Sequence, residues 1–166
     1  MNGKLKTYIF TIFFGIIGGI MIWKNFNYPT LPLTIFYLIL LVNTFFSIEF
    51  FARIIPKKRI DQDIIDLSMV AIYLILILNL GNEVLYILSA TILFIIATLK
   101  YAFLLDVVAL KVLKKKIIID ISGAIACSLA LAGSLLGYGE ITNWIWTSLF
   151  LIANIYFLGF KPMYEL

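Results

Sequence analysis

The chain has no histidine and a single cysteine among its 166 residues. The first absence removes imidazole metal ligands and imidazole acid–base chemistry. The second removes any internal disulfide, and together they exclude Cys/His dyads and thiolate zinc sites. Charge is scarce too: 13% of residues are Asp, Glu, Lys or Arg. There is no glycine-rich phosphate loop with its lysine. Paired aspartates at a membrane-phosphotransferase spacing are missing, as are basic amphipathic patches for nucleic acid. The expectation is a non-enzyme with no cofactor, no metal and no nucleic-acid partner.

Apolar residues fill the space: 63% of the chain is hydrophobic, with a mean hydropathy of +1.09. A bilayer span needs about 20 mostly apolar residues, and several such runs lie end to end with little left for a soluble domain. The pattern predicts one all-α integral membrane bundle over residues 1–166. Its six transmembrane helices fall near 7–23, 33–55, 63–80, 84–108, 117–136 and 144–160. The apolar N-terminal run lacks a small-residue cleavage site and reads as a retained span.

The net charge of +4 reads first as an orientation signal. Lysine and arginine concentrate at the two chain ends and in the loops after the second and fourth spans, as Pro56-Lys57-Lys58-Arg59 and Lys111 to Lys116. The remaining loops hold only Lys24, with Glu83 and Glu140. The positive-inside rule then puts both termini in the cytosol, as an even number of spans requires. The expected place is the cell membrane, multi-pass, with the lipid bilayer as first partner. Trp23, Tyr28, Trp144 and Trp146 fall where an outer aromatic belt would lie.

Two small-residue patterns suggest helix packing. Gly15 and Gly19 form a GxxxG pair in the first span. Ser122, Ala126, Ala130 and Ser134 recur at every fourth position in the fifth, which marks it as the packing helix. Such faces also suit a homo-oligomer or a membrane partner subunit. Cys127, among these small residues, reads as a buried inert thiol.

Depth can be compared once orientation is set. Glu49 and Lys100 come late in inward-running spans, Asp66 and Asp120 early in outward-running ones. At about 1.5 Å per residue all four share one height in the inner leaflet, with Arg53 and Asp106 one turn nearer the cytosol. Ionisable groups there are costly and mark function. Plainer roles compete: Asp66 and Asp120 complement helix dipoles, and Arg53 and Asp106 can snorkel to the interface. Glu49 and Lys100 lie deeper, between apolar neighbours.

The run Phe46-Ser47-Ile48-Glu49-Phe50-Phe51-Ala52-Arg53, a short basic loop, and then Asp63-Ile64-Ile65-Asp66-Leu67-Ser68 resembles the hairpin of the second and third segments in the voltage-sensor domain of voltage-gated cation channels. That resemblance implies a charge-transfer centre of Phe46, Glu49 and Asp66, with Lys100 of the fourth span as the cation it holds. The family's fourth segment repeats a basic residue every third position, whereas here Lys100 stands alone. One charge crossing the membrane is worth about 2.3 kcal/mol per 100 mV, so steep voltage sensing is not expected. Leu136-Gly137-Tyr138-Gly139-Glu140 resembles a potassium-channel filter, but a full span precedes it, which makes it a turn. The functional expectation is a voltage-sensor-like or channel/transporter-like membrane protein with an inner-leaflet charge cluster. The alternatives are a non-catalytic structural or partner-binding subunit and a small proton- or cation-coupled transporter using Glu49, Asp66 and Asp120.

Overall fold

In the computed structural model, described over residues 3–54, 60–105, 111–160 and 163–164, every long element is an α-helix. The six are α1 (Gly3–Asn25), α2 (Leu31–Ile54), α3 (Ile60–Leu78), α4 (Glu83–Leu105), α5 (Lys111–Leu135) and α6 (Gly139–Ile155). A 3₁₀ turn, Tyr28–Thr30, leads into α2, and α6 continues as a π-helical turn, Tyr156–Phe160. α1, α2, α4 and α5 have 23 to 25 residues each, about 35 Å at 1.5 Å per residue. The hydrocarbon core of a bilayer is about 30 Å thick.

Five segments are long and apolar enough to cross a membrane: 7–25, 28–53, 83–105, 111–135 and 139–160. The helix outside that set is α3, which carries Asp61, Asp63 and Asp66 in its first two turns. Its apolar run starts only at Leu67.

The short turns are fixed by side chains. Asn27 Oδ1 accepts from Thr30 N at 3.0 Å while Asn27 N donates to Thr30 Oγ1 at 3.1 Å, and the same hydroxyl donates to Asn25 O at 2.9 Å. This reciprocal cap ends α1 and starts α2 within five residues. The α5–α6 turn passes through Gly137 at φ +88°, a backbone region open to glycine.

Successive helices alternate in direction along the chain and close a ring in the order α1, α2, α6, α5, α4, α3, each packed on two neighbours, with α2 beside α6 and α1 beside α3 running the same way. Aromatic side chains fill the middle. Phe36 stacks on Trp146 at 4.0 Å and meets Phe150 at 4.4 Å and Tyr86 at 6.2 Å. Phe14 of α1 meets Tyr73 of α3 at 4.7 Å. Outward faces are apolar, as at Ile16, Leu67, Leu78, Leu129 and Ile152, while Asn43, Ser47, Asn143 and Thr147 lie inside. This distribution suits a surface facing lipid rather than water.

α1 meets α2 closely at Gly18. A Cβ there would fall on the ring of Tyr37, a buried side chain whose hydroxyl donates to Phe14 O at 2.6 Å. Nothing lies within 4 Å of the Cβ positions of Gly15 and Gly19, so among the described residues the GxxxG pair packs against no helix. Gly18→Ala is expected to destabilise the fold by about 1–3 kcal/mol through overpacking. Gly19→Ala, one residue along, should be neutral or stabilise by up to about 1 kcal/mol, as for glycine to alanine inside a helix. Denaturation of both variants in micelles, followed by circular dichroism, checks the pair.

Candidate functional site

The polar groups gather at the two ends of the ring. At one end, which joins α3 to α4 and α5 to α6, Glu83 Oε2 accepts from Asn143 Nδ2 at 3.0 Å and Thr147 Oγ1 donates to Pro32 O at 3.0 Å. Gly139 leaves room for the Glu83 carboxylate over the first turn of α6, where the helix dipole favours a negative charge. This is a clamp between helix ends.

The opposite, basic end carries the more costly chemistry. α5 begins at Lys111, six residues before the expected start, so the second basic loop forms its first two turns. Lys116 therefore sits on the helix four residues before Asp120 and on the same face. Their side chains are 6% and 1% exposed, and Lys116 Nζ lies 3.1 Å from Asp120 Oδ1. The second oxygen, Asp120 Oδ2, is buried without a hydrogen-bond partner among the described residues. Lys116 also lies 5.7 Å from the centre of the Tyr101 ring, a cation–π arrangement. The Tyr101 hydroxyl is 2.9 Å from Ser47 Oγ. Tyr164, in the returning C-terminal segment, donates to Asn43 Oδ1 at 3.1 Å. This polar layer draws on α2, α4, α5 and the tail.

α5 meets these partners through a 4–3 seam of Lys116, Asp120, Gly123, Cys127, Ala130 and Ser134, with Cys127 fully buried and Gly123 against the Phe94 ring of α4. A seam of average spacing 3.5 stays on one face. The expected stripe of Ser122, Ala126, Ala130 and Ser134 drifts instead. Each step of four residues turns about 40° past a full circle, so Ser122 is exposed, Ala126 half-buried, and only Ala130 and Ser134 lie on the seam.

Beside the seam is a cleft. α5 and α6 touch near their shared turn, where a Cβ on Gly133 would strike Thr142. Nearer the basic end they leave a partly open cavity of about 340 Å³, lined by Trp146 and Phe150 of α6, by Lys116 and Ala126 of α5, and by Asn43 and Met163. The volume lies at the low end for small-molecule sites, about 300–1,000 Å³. The π-helical turn forms its lower wall at Phe157, a distortion common at functional sites.

The charge cluster read from the sequence divides. Lys100 Nζ lies 2.6 Å from Asp66 Oδ1, with side chains 14% and 54% exposed. Glu49 pairs with Arg53 of its own helix. Phe46 is 41% exposed and packs edge-on against Phe45. Asp106 lies outside the described residues. Among those described, no group of acidic and cysteine side chains is placed to hold a metal. The Lys116–Asp120 pair and the cleft were missed because the lysines read as a loop. The signal was their spacing of four, the same that links Glu49 to Arg53. No family model matches the chain, and no curated protein or solved structure matches it.

Proposed function

We propose that this chain is a six-span protein of the cell membrane, with both termini cytosolic, that belongs to the channel/transporter class and uses Asp120 as its coupling carboxylate. Positive-inside charge supports the orientation, and the apolar outer face supports insertion. The observation that carries the coupling role is the buried Lys116–Asp120 pair, in which one carboxylate oxygen has no hydrogen-bond partner among the described residues and the lysine also lines the cleft. A proton or small cation that binds Asp120 takes over the neutralising role of Lys116. The displaced ammonium then turns into the cleft that its side chain already borders. The exchange adds one positive charge to the site, so the displaced ammonium must reach the polar, basic end of the cleft, where it can be solvated, to limit the cost of burial.

The test is flux into liposomes holding purified protein, with proton and monovalent-cation gradients imposed in turn. Asp120→Asn is expected to cut gradient-driven flux at least about ten-fold, roughly 1.4 kcal/mol on the barrier, in protein that still folds. Wild-type vesicles without flux, together with an Asp120→Asn variant that only loses assembly, would support a structural subunit instead.

A second reading has its own observation, the Lys100–Asp66 pair, which joins two residues of the sensor-like set. With Lys100 alone on α4 and Glu49 engaged by Arg53, it supports a weak response at most. Lys100→Gln in the same vesicles under stepped potential separates the readings: a changed voltage dependence favours the sensor, an unchanged one favours coupling at Asp120.

A further inference from the structure

We infer that the α5–α6 cleft is a site for one acyl chain of an anionic membrane lipid, with the lipid phosphate held at the basic end by Lys115 and Lys111. The dimensions argue for a chain. From Lys116 to Ala126 on α5, and from Trp146 to Phe157 on α6, the cleft runs about 15 Å along the helices. That is half of a hydrocarbon core about 30 Å thick, the depth of one leaflet. A partner helix about 10 Å across would need roughly 1,200 Å³ over the same length, several times the 340 Å³ present.

The charge argues for an anionic headgroup. α5 is helical from Lys111 onward, so its face can be followed below the cleft. Lys115 lies one turn beneath Ile119, and Lys111 one turn further, both in line with the cleft wall and both exposed. Lys114, exposed too, lies one turn beneath Ile118, at the outer edge of the same wall. An anionic lipid seated this way puts its phosphate among lysines and its chain against Leu149 and Phe150, at the mouth and back of the cleft. A zwitterionic lipid gains only the apolar part. The inference rests on the membrane placement proposed above but not on transport.

Trp146 borders the cleft and reports on it. Trp23→Phe with Trp144→Phe leaves Trp146 as the sole tryptophan, and Trp144→Phe with Trp146→Phe leaves Trp23, which is 86% exposed. Each protein is reconstituted in phosphatidylcholine vesicles in which brominated phosphatidylglycerol or brominated phosphatidylcholine replaces a rising fraction of the lipid. Trp146 should be quenched preferentially by the brominated anionic lipid, while Trp23 is quenched equally by both. Each of Lys115→Gln and Lys111→Gln should lower the preference about five-fold, the effect of one lysine near an anionic surface. Ala126→Leu, which fills the cleft without touching charge, should weaken Trp146 quenching by the anionic lipid. Equal quenching of Trp146 by both lipids would reduce the cleft to ordinary lipid contact and overturn the inference. So would an unchanged preference in both Lys115→Gln and Lys111→Gln. Absence of quenching at Trp23 as well would overturn the membrane placement itself.

Discussion

Lys116→Ala is expected to lower stability by about 3–5 kcal/mol, the usual cost of leaving one member of a buried ion pair uncompensated. The two partners differ in how far they can escape. Asp120 has a short side chain, is 1% exposed and already holds one oxygen without a partner among the described residues, so without the ammonium it must stay buried or take up a proton. Lys116 borders the cleft and has a flexible four-carbon stem, so in Asp120→Asn its ammonium has somewhere to go. Asp120→Asn should therefore cost clearly less than Lys116→Ala. The double variant Lys116→Met with Asp120→Leu removes both charges at similar volume and should recover most of the loss, because apolar replacements of buried pairs are often neutral or stabilising. Unfolding in micelles of Lys116→Met, Asp120→Leu and their double variant, read as a double-mutant cycle, gives the coupling, with Lys116→Ala and Asp120→Asn measured beside it. A cost below about 1 kcal/mol for Lys116→Ala would place the pair with solvated surface pairs and remove the basis for Asp120 as coupling group. The cycle and the flux assay are independent. A pair that is strongly coupled in stability, with flux indifferent to Asp120→Asn, would be structural only.

The helices themselves were legible because apolar runs of spanning length need no tertiary context. Boundaries moved where charge was taken for loop: α5 starts at Lys111, and that shift put Lys116 in register with Asp120. Facing was the harder problem. In a water-soluble bundle, polarity marks the outer side of each helix. Here both sides of every helix are apolar, so Gly15 and Gly19 looked as suited to packing as Gly18, and only the contact with Tyr37 separates them. Depth along a helix follows from counting residues, and it brought Asp66 and Lys100 to one height, where they meet. The direction a side chain takes around the helix does not follow from counting. Glu49 turned to Arg53, one turn away on its own helix, and Phe46 turned outward.

Ile16→Lys tests the environment of the whole outer surface and carries an expected effect nearly as large. Ile16 lies near the middle of the apolar segment 7–25 and is 60% exposed. On a water-soluble protein, replacing an exposed isoleucine by lysine is close to neutral, within about 0.5 kcal/mol. At the centre of a transmembrane helix isoleucine contributes about −0.3 to −0.6 kcal/mol and lysine about +2.5 to +3.5 kcal/mol, a difference of roughly 3–4 kcal/mol against insertion. α1 has little to offset it, because among the described residues its outer face meets no other helix at Gly15 or Gly19. The expected result is loss of α1 from the membrane by a factor of a hundred or more (~1.4 kcal/mol per tenfold), read by glycosylation-site mapping on the segment following Asn25. Ile16→Leu is the control for size. Unchanged insertion of Ile16→Lys would mean that the apolar face of α1 is covered by protein rather than lipid. The exposed GxxxG pair beside Ile16 would then be the contact of a second copy or a partner subunit, and bulky substitutions at Gly15 and Gly19 would break that assembly.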